Sequence, residues 1–256
     1  MLAVRAWYYN MKKLKLAILG DGGWGTTLAI LLYNIGHNIT MWSAFGEYAK
    51  VLDKKRENRR FLPGTKIPNG IKITSDPQDI AGYDYFIIAV PCQYLRETLK
   101  KFVGIIESPV ISVIKGIENV SLKRSSEIIR EVLGDVKLAV LSGPTIAYEV
   151  IRGVPTTCVV SSDDTEFAHK LQGVFSSERF RVYSSNDIVG VELGGALKNI
   201  IAIAAGIADG MGLGVNTKAA ILTRGLVEIS RLGVKMGAKK ETFNGLSGVG
   251  DLATTC

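Results

Sequence analysis

Apolar residues fall along the first three quarters of the chain in short, near-continuous runs, with helix-spaced stretches between them. LKLAIL (Leu14–Leu19) is the first run and ends in glycines. Strand-like runs follow at NITMW (Asn38–Trp42), Ile71–Ile73, DYFIIAV (Asp84–Val90), VISVI (Val110–Ile114), KLAVL (Lys137–Leu141), TTCVVS (Thr156–Ser161) and FRVY (Phe180–Tyr183). Helical spacing is predicted over Trp24–Ile35, stopping at Gly36, and over Phe45–Arg56, Gln93–Phe102, Ser121–Leu133, Pro144–Arg152 and Thr165–Val174. FLPGTKIPNG (Phe61–Gly70) is a Pro/Gly loop. Strands alternating with helices imply a doubly wound, mostly parallel α/β sheet. Runs without polar alternation suit strands covered on both faces.

The pattern changes near Ile188. A helix is predicted over Val189–Asp209, then a glycine-rich turn, GMGLGVN (Gly210–Asn216). Asn216 is the expected cap of a last helix that ends at Gly233. The expected organisation is an N-terminal extension (1–11), a Rossmann-type dinucleotide-binding domain (12–187) and an all-α, incomplete helical domain (188–256). Met11 opens MKKLKLAILG directly into the first strand and is a candidate start.

Composition narrows this picture little: 256 residues, 47% hydrophobic and 21% charged, describe an ordinary globular chain. Three widely spaced cysteines (Cys92, Cys158, Cys256) without a CxxC argue for a reducing cytoplasm and against a disulfide scaffold or zinc site. No metal is expected. The net charge of +7 favours anionic ligands, phosphates included. Runs such as Lys54-Lys55-Arg56 and Arg59-Arg60 read as solvated surface, and no aromatic-interleaved basic motif points to nucleic acid. Residues 1–10 have no signal-peptide core or cleavage site. The apolar part of the late helix, Ile200–Ala208, reads as too short for a membrane span.

Gly20-Asp21-Gly22-Gly23-Trp24-Gly25 fits G-x-G-x-x-G between the first strand and the first helix, the context that motif requires. The first glycine makes the turn, the second admits a pyrophosphate, the third packs helix on strand, and free N–H groups at the helix start bind the anion. At the end of the second strand an acid would hold a ribose 2′-hydroxyl and an arginine a 2′-phosphate. That place reads Trp42-Ser43-Ala44-Phe45 and has neither, so the sequence leaves NAD and NADP both open.

Hydride transfer to a ketone needs a proton donor at the carbonyl oxygen. His37, before the second strand, and His169, in a polar helix, read as packing or surface residues. Lys198, near the start of an otherwise apolar helix, has two readings that periodicity leaves open: a lysine snorkelling to solvent or an amine tuned by burial and a carboxylate. Lys115 follows an apolar strand, where ligands of open α/β sheets bind. Gly143-Pro144-Thr145 follows another strand and offers N–H groups and a hydroxyl at a helix start. Asp251 follows a glycine-rich turn and reads equally as a helix N-cap.

Together these pieces resemble the NAD(P)-dependent glycerol-3-phosphate dehydrogenases of bacterial type. GALKNIIAIAAGIADGMGLGVN (Gly195–Asn216) resembles that family's signature over all 22 positions. Its ordered companions are GDGGWGTTLA (Gly20–Ala29), FLPG (Phe61–Gly64), AVPCQYLR (Ala89–Arg96), KGIE (Lys115–Glu118), LSGPTIA (Leu141–Ala147), TRGL (Thr223–Leu226) and GDLATTC (Gly250–Cys256). The resemblance implies interconversion of dihydroxyacetone phosphate and sn-glycerol 3-phosphate with NAD or NADP, supplying phospholipid synthesis, and a homodimer. It implies Lys198 as catalytic acid/base, and a substrate pocket of Lys115, Gly143, Thr145, Lys198, Asn199, Asp251 and Thr255. It implies cofactor contacts from Gly20, Gly22, Gly23, Trp24, Gly25, Lys115 and Ala147.

The family continues past this TTC with a Ser-Arg-Asn segment whose Arg and Asn hold the substrate phosphate. Ending at Cys256, the chain is expected to be a truncated product, short of that anchor and with apolar faces uncovered. Two further readings accompany the first. One is a 3-hydroxyacid dehydrogenase resembling 6-phosphogluconate dehydrogenase, against which Ala202 stands where an asparagine is usual. The other is a dinucleotide-binding chain without turnover.

Overall fold

The computed structural model describes residues 13–256, so the expected N-terminal extension lies outside the described residues. Eight strands form one sheet: β1 (Lys15–Leu19), β2 (Asn38–Trp42), β3 (Lys72–Thr74), β4 (Tyr85–Ile88), β5 (Val110–Ser112), β6 (Leu138–Ser142), β7 (Thr156–Ser161) and β8 (Phe180–Ser185). Their order is β3-β2-β1-β4-β5-β6-β7-β8. Every neighbouring pair is parallel except β6–β7. The chain winds outward from β1 to one edge, then returns to place β4 on β1's other side. That reversal makes the carboxyl ends of β1 and β4 the ligand crevice of such a sheet.

Successive strand residues point to opposite faces, and both faces here are core. Leu16 and Ile18 of β1 pack with Ile87, Ile111 and Phe175. Ala17 and Leu19 pack with Phe86, Leu99, Phe102 and Ile129 on the other side. This explains runs with no polar alternation. Six helices cover the faces: α1 (Gly23–Ile35), α2 (Gly46–Lys55), α3 (Leu95–Lys100), α4 (Ser125–Leu133), α5 (Ala147–Ile151) and α6 (Thr165–Phe175). Helix α1 ends at Gly36, whose φ of 117° closes the last turn. His37 is a packing residue: buried, it touches the Val174 carbonyl through Nε2 at 3.2 Å, and its Nδ1 accepts from the Leu14 N–H. His169 is exposed.

Beyond β8 the described residues are helical: α7 (Ile188–Gly210), α8 (Gly214–Lys235) and α9 (Asp251–Thr255), with single turns at Lys240–Asn244 and Leu246–Gly250. Asp187 caps α7, accepting from the Gly190 N–H at 2.9 Å, and its second oxygen accepts from the Lys239 N–H and the Thr242 hydroxyl. Three expectations change here. Asn216 lies inside α8, which begins at Gly214 without a side-chain cap. Gly233 does not end α8 but lies within it, and packing requires glycine there, since a Cβ would come within 2.1 Å of the Phe243 ring. The glycine in left-handed backbone beyond the helix is Gly237, at φ 95°. Helix α5 starts at Ala147 rather than Pro144, leaving Gly143–Thr145 in the preceding loop.

Helix α7 is also longer than its central apolar run. Its 23 residues, with a mean hydropathy of 1.6 over an 18-residue window, meet the length and composition of a membrane span. Half of that window is buried within the protein. Ile200, Ile203, Ile207 and Met211 form an exposed apolar stripe along its outer side.

Candidate active site

Strands β1, β4, β5 and β6 run parallel, so the loops leaving them share one edge of the sheet. The glycine loop leaves β1. Gly20 adopts φ 124°, and a Cβ there would come within 2.5 Å of the Ala89 carbonyl oxygen beyond β4. A Cβ at Gly25 would come within 2.2 Å of the Gly20 carbonyl oxygen, so this glycine lets helix meet loop. Gly22 is the N-cap of α1, and among the described residues no side-chain cap satisfies the helix's first N–H groups. A Cβ at Gly22 would meet nothing within 4 Å. An open approach, uncapped donors and a positive dipole end together fit a pyrophosphate. Gly23 packs under the Phe61 carbonyl. Trp24 is half-buried, its ring 6.4 Å from that of Phe180.

Lys115 leaves β5 and reaches across to the loop after β6, where its Nζ donates to the Gly143 carbonyl at 3.0 Å. Gly143 needs to be glycine: its φ is 141°, and a Cβ would crowd Cys158. It contributes its carbonyl here, and the Thr145 hydroxyl donates to the same oxygen at 3.2 Å. Lys198 lies 8% exposed on α7. It does not snorkel: its Nζ donates to Asp251 Oδ1 and, at 2.6 Å, to the Thr255 hydroxyl. Asp251 is 1% exposed, and its second oxygen pairs with Lys115 Nζ at 2.5 Å. It is the first residue of α9, so its carboxylate serves the two lysines and does not cap the helix. Thr255, one turn on, returns its own proton to the Asp251 carbonyl at 2.8 Å.

One buried carboxylate thus bridges two ammonium groups. An ammonium has three donors, and each lysine directs two of them to protein among the described residues. Burial pushes the Lys115 pKa below the ordinary lysine range, Asp251 pulls it back up, and Lys198 adds to the downward push. Asn199 is not drawn into this cluster. A helix turns about 100° per residue, and Asn199 is exposed beside buried Lys198. Ala147 opens α5, its carbonyl 3.5 Å from the Thr27 hydroxyl of α1.

The supporting residues gave little signal in the sequence. Gly195 lets α7 approach the strands: a Cβ would lie 2.8 Å from Ser142 Oγ and 3.4 Å from the Lys115 stem. Glu192, buried one and a half turns before Lys198, accepts from Arg124 Nη1, both hydroxyls of Ser125 and Ser126, and the Ser126 N–H. Arg96 grips Glu118 with two bonds of 3.0 and 2.9 Å, fixing the loop that carries Lys115. At the far rim, the expected gap after β2 is filled from elsewhere. Ser43 donates to the Asp21 carboxylate at 2.5 Å, so an acid does stand at that strand end, supplied by the glycine loop. A separate cleft of about 720 Å³, lined by Ile30, Leu31, Ile35 and Phe180 with Glu178 and Arg179, shares no residue with this cluster.

Known proteins resemble this chain over nearly all of its length. Residues 15–168 match the family model for the NAD-dependent glycerol-3-phosphate dehydrogenase N-terminus, and residues 187–256 match that for its C-terminus. Glycerol-3-phosphate dehydrogenase [NAD(P)+] of Fusobacterium nucleatum is 47% identical over 247 residues, covering 94% of this chain and 74% of the relative. The protein of the same name from Pelodictyon phaeoclathratiforme is 49% identical over 249 residues, covering 95% and 75%. The crystal structure of glycerol-3-phosphate dehydrogenase from Coxiella burnetii superposes with a TM-score of 0.91 at 38% identity, covering 95% of this chain and 76% of that one.

Proposed function

The chain belongs to the NAD(P)-dependent glycerol-3-phosphate dehydrogenase family, and from that premise we propose that Lys198 is the acid/base of its reaction, with Lys115 and Asp251 holding it in place. The protein is an oxidoreductase that interconverts sn-glycerol 3-phosphate and dihydroxyacetone phosphate with NAD or NADP. Its proposed role is to supply glycerol 3-phosphate for phospholipid synthesis in the cytoplasm, where its three free thiols stay reduced.

The observation that carries the assignment is the convergence of Lys115 and Lys198 on buried Asp251, at the strand edge that also bears the glycine loop. The nicotinamide, when bound, supplies the hydride that C2 of the ketone accepts. Lys198 Nζ, with two N–H groups directed to protein among the described residues, offers its third to the substrate oxygen. In reduction it delivers a proton there, and its charge stabilises the alkoxide as it develops. In oxidation it removes the hydroxyl proton from the same position. Asp251 keeps the two like charges together and sets the direction of both amines. Lys115, tied also to Gly143, contributes positive charge for the phosphorylated substrate. Gly143, Thr145 and Thr255 line this region; Asn199 is exposed beside Lys198 and remains a proposed substrate contact.

The test is oxidation of NADH or NADPH on addition of dihydroxyacetone phosphate. The wild-type chain should turn over, and Lys198→Ala should lower kcat by about 10²–10⁴-fold. Full activity in Lys198→Ala would remove the lysine from the mechanism.

A further inference from the structure

We infer that Asp21 reads the adenosine ribose of the dinucleotide and makes the protein select NAD(H) over NADP(H); this rests on the dinucleotide-binding reading above. In this type of sheet the adenosine ribose lies against the end of β2, and an acid there accepts from its 2′-hydroxyl. The parallel register pairs Leu19 with Trp42, so the residues that follow, Gly20-Asp21 and Ser43, stand side by side. Ser43 is fully buried and held at both ends. Its N–H donates to the Thr74 carbonyl at 2.8 Å, and its oxygen accepts from the Phe45 N–H at 3.3 Å. Its hydroxyl proton goes to Asp21 Oδ2 at 2.5 Å.

The backbone of Asp21 is fixed as firmly. Fully buried Asn58 donates to the Asp21 carbonyl and to Thr26 Oγ1, both at 2.7 Å. Its own oxygen accepts from the Tyr48 hydroxyl at 2.7 Å and the Phe61 N–H at 3.2 Å. The loop therefore presents the carboxylate in one orientation before any ligand arrives. Asp21 is only partly buried, and its Oδ1 has no hydrogen-bond partner among the described residues. That oxygen is the acceptor offered to a ribose hydroxyl.

The same carboxylate opposes a 2′-phosphate. Asp21 forms no ion pair among the described residues, and three cations of the segment that follows β2 have contacts of their own. Lys50 pairs with Glu47 at 2.9 Å, Arg59 with Glu57 at 2.8 Å, and Arg60 lies over the Phe61 ring at 5.0 Å. An unneutralised carboxylate facing a phosphate dianion is a repulsive contact that discriminates between ligands alike everywhere else.

The experiment is titration of NADH and of NADPH into the wild-type chain, Asp21→Asn and Asp21→Ser, read by nucleotide fluorescence and by calorimetry without substrate. The wild-type chain should bind NADH about 10–100-fold tighter than NADPH, a ratio set by one close like-charge contact. Both variants should lower that ratio about tenfold or more, chiefly by tightening NADPH. A loop that merely collapsed on substitution would weaken both nucleotides equally. Equal weakening, or a wild-type chain that prefers NADPH, overturns the inference. Binding of neither nucleotide overturns the dinucleotide reading beneath it.

Discussion

Lys198 and Asp251 form a buried ion pair between residues 53 positions apart, one on the long α7 and the other opening the short α9. Neither group is tolerable there alone, since breaking a buried pair leaves a desolvated charge. Lys198→Ala should lower kcat by about 10²–10⁴-fold, the usual range for a lost acid/base, as measured by cofactor oxidation. Asp251→Asn should also cost about 3–5 kcal/mol of stability, read by denaturant unfolding, because two ammonium groups then lose their counter-ion.

Lys115 gives the reaction an alkaline limit. Its pKa is lowered, chiefly by burial, so on raising the pH its charge is lost before that of an ordinary lysine. KM for dihydroxyacetone phosphate should rise as the solution becomes alkaline but still lies below pH ~10.5, the ordinary lysine value. In Lys115→Arg the guanidinium stays charged, and this rise should vanish even if the overall KM is higher. An unchanged KM profile in Lys115→Arg would show that its charge does not serve the substrate.

Gly195 separates activity from stability. Alanine gains about 1 kcal/mol of helix propensity over glycine. Its methyl group, however, would press on Ser142 Oγ and the Lys115 stem, an overpacking cost of about 1–3 kcal/mol. These oppose each other, so Gly195→Ala should melt within several degrees of wild type while activity falls with the displaced lysine. Wild-type kinetics would mean that the Lys115 stem yields freely.

Glu192 ties α7 to the start of α4 through one arginine, two serine hydroxyls and a backbone N–H. Glu192→Ala takes this shared acceptor from the two serine hydroxyls and the Ser126 N–H and leaves Arg124 paired only with the partly exposed Glu127, and should cost about 1–3 kcal/mol, seen as a lower midpoint in urea. Cofactor binding at the glycine loop should survive in the remaining folded fraction.

Acid should act on stability in two stages. His37 has its pKa lowered from 6.5, mainly by burial, so the unfolded chain takes up its proton first. Stability is therefore full above pH 6.5 and declines as pH falls through the lowered folded value. Glu118 is held at about 2 by Arg96, against 4.5 ordinarily. Its contribution is present above pH 4.5 and is lost as pH falls towards 2. Melting temperature against pH should show both declines, and Arg96→Ala should remove much of the second.

What the sequence reveals follows from the range of each interaction. The strands β2 and β7 are legible to the residue because short apolar runs bounded by turns are local signals. The glycine loop is legible because its context is local too. Gly233 misleads because it reads as a helix stop, whereas Phe243 across the packing interface is what requires it. The reading of Lys198 turns on Asp251, and no periodicity identifies a partner that far along the chain. The acid at the end of β2 is missed for a related reason. It is sought in the strand, whereas parallel register brings it from 22 positions earlier.

The shared carboxylate also sets an order of events during synthesis. Asp251 is translated 136 positions after Lys115 and 53 after Lys198. At about 5–20 residues per second, both ammonium groups wait several seconds or more for their counter-ion. By the time Lys198 is made, the glycine loop and all eight strands have already been synthesised. The nucleotide half is thus free to assemble before the charge that completes the reaction centre has been made.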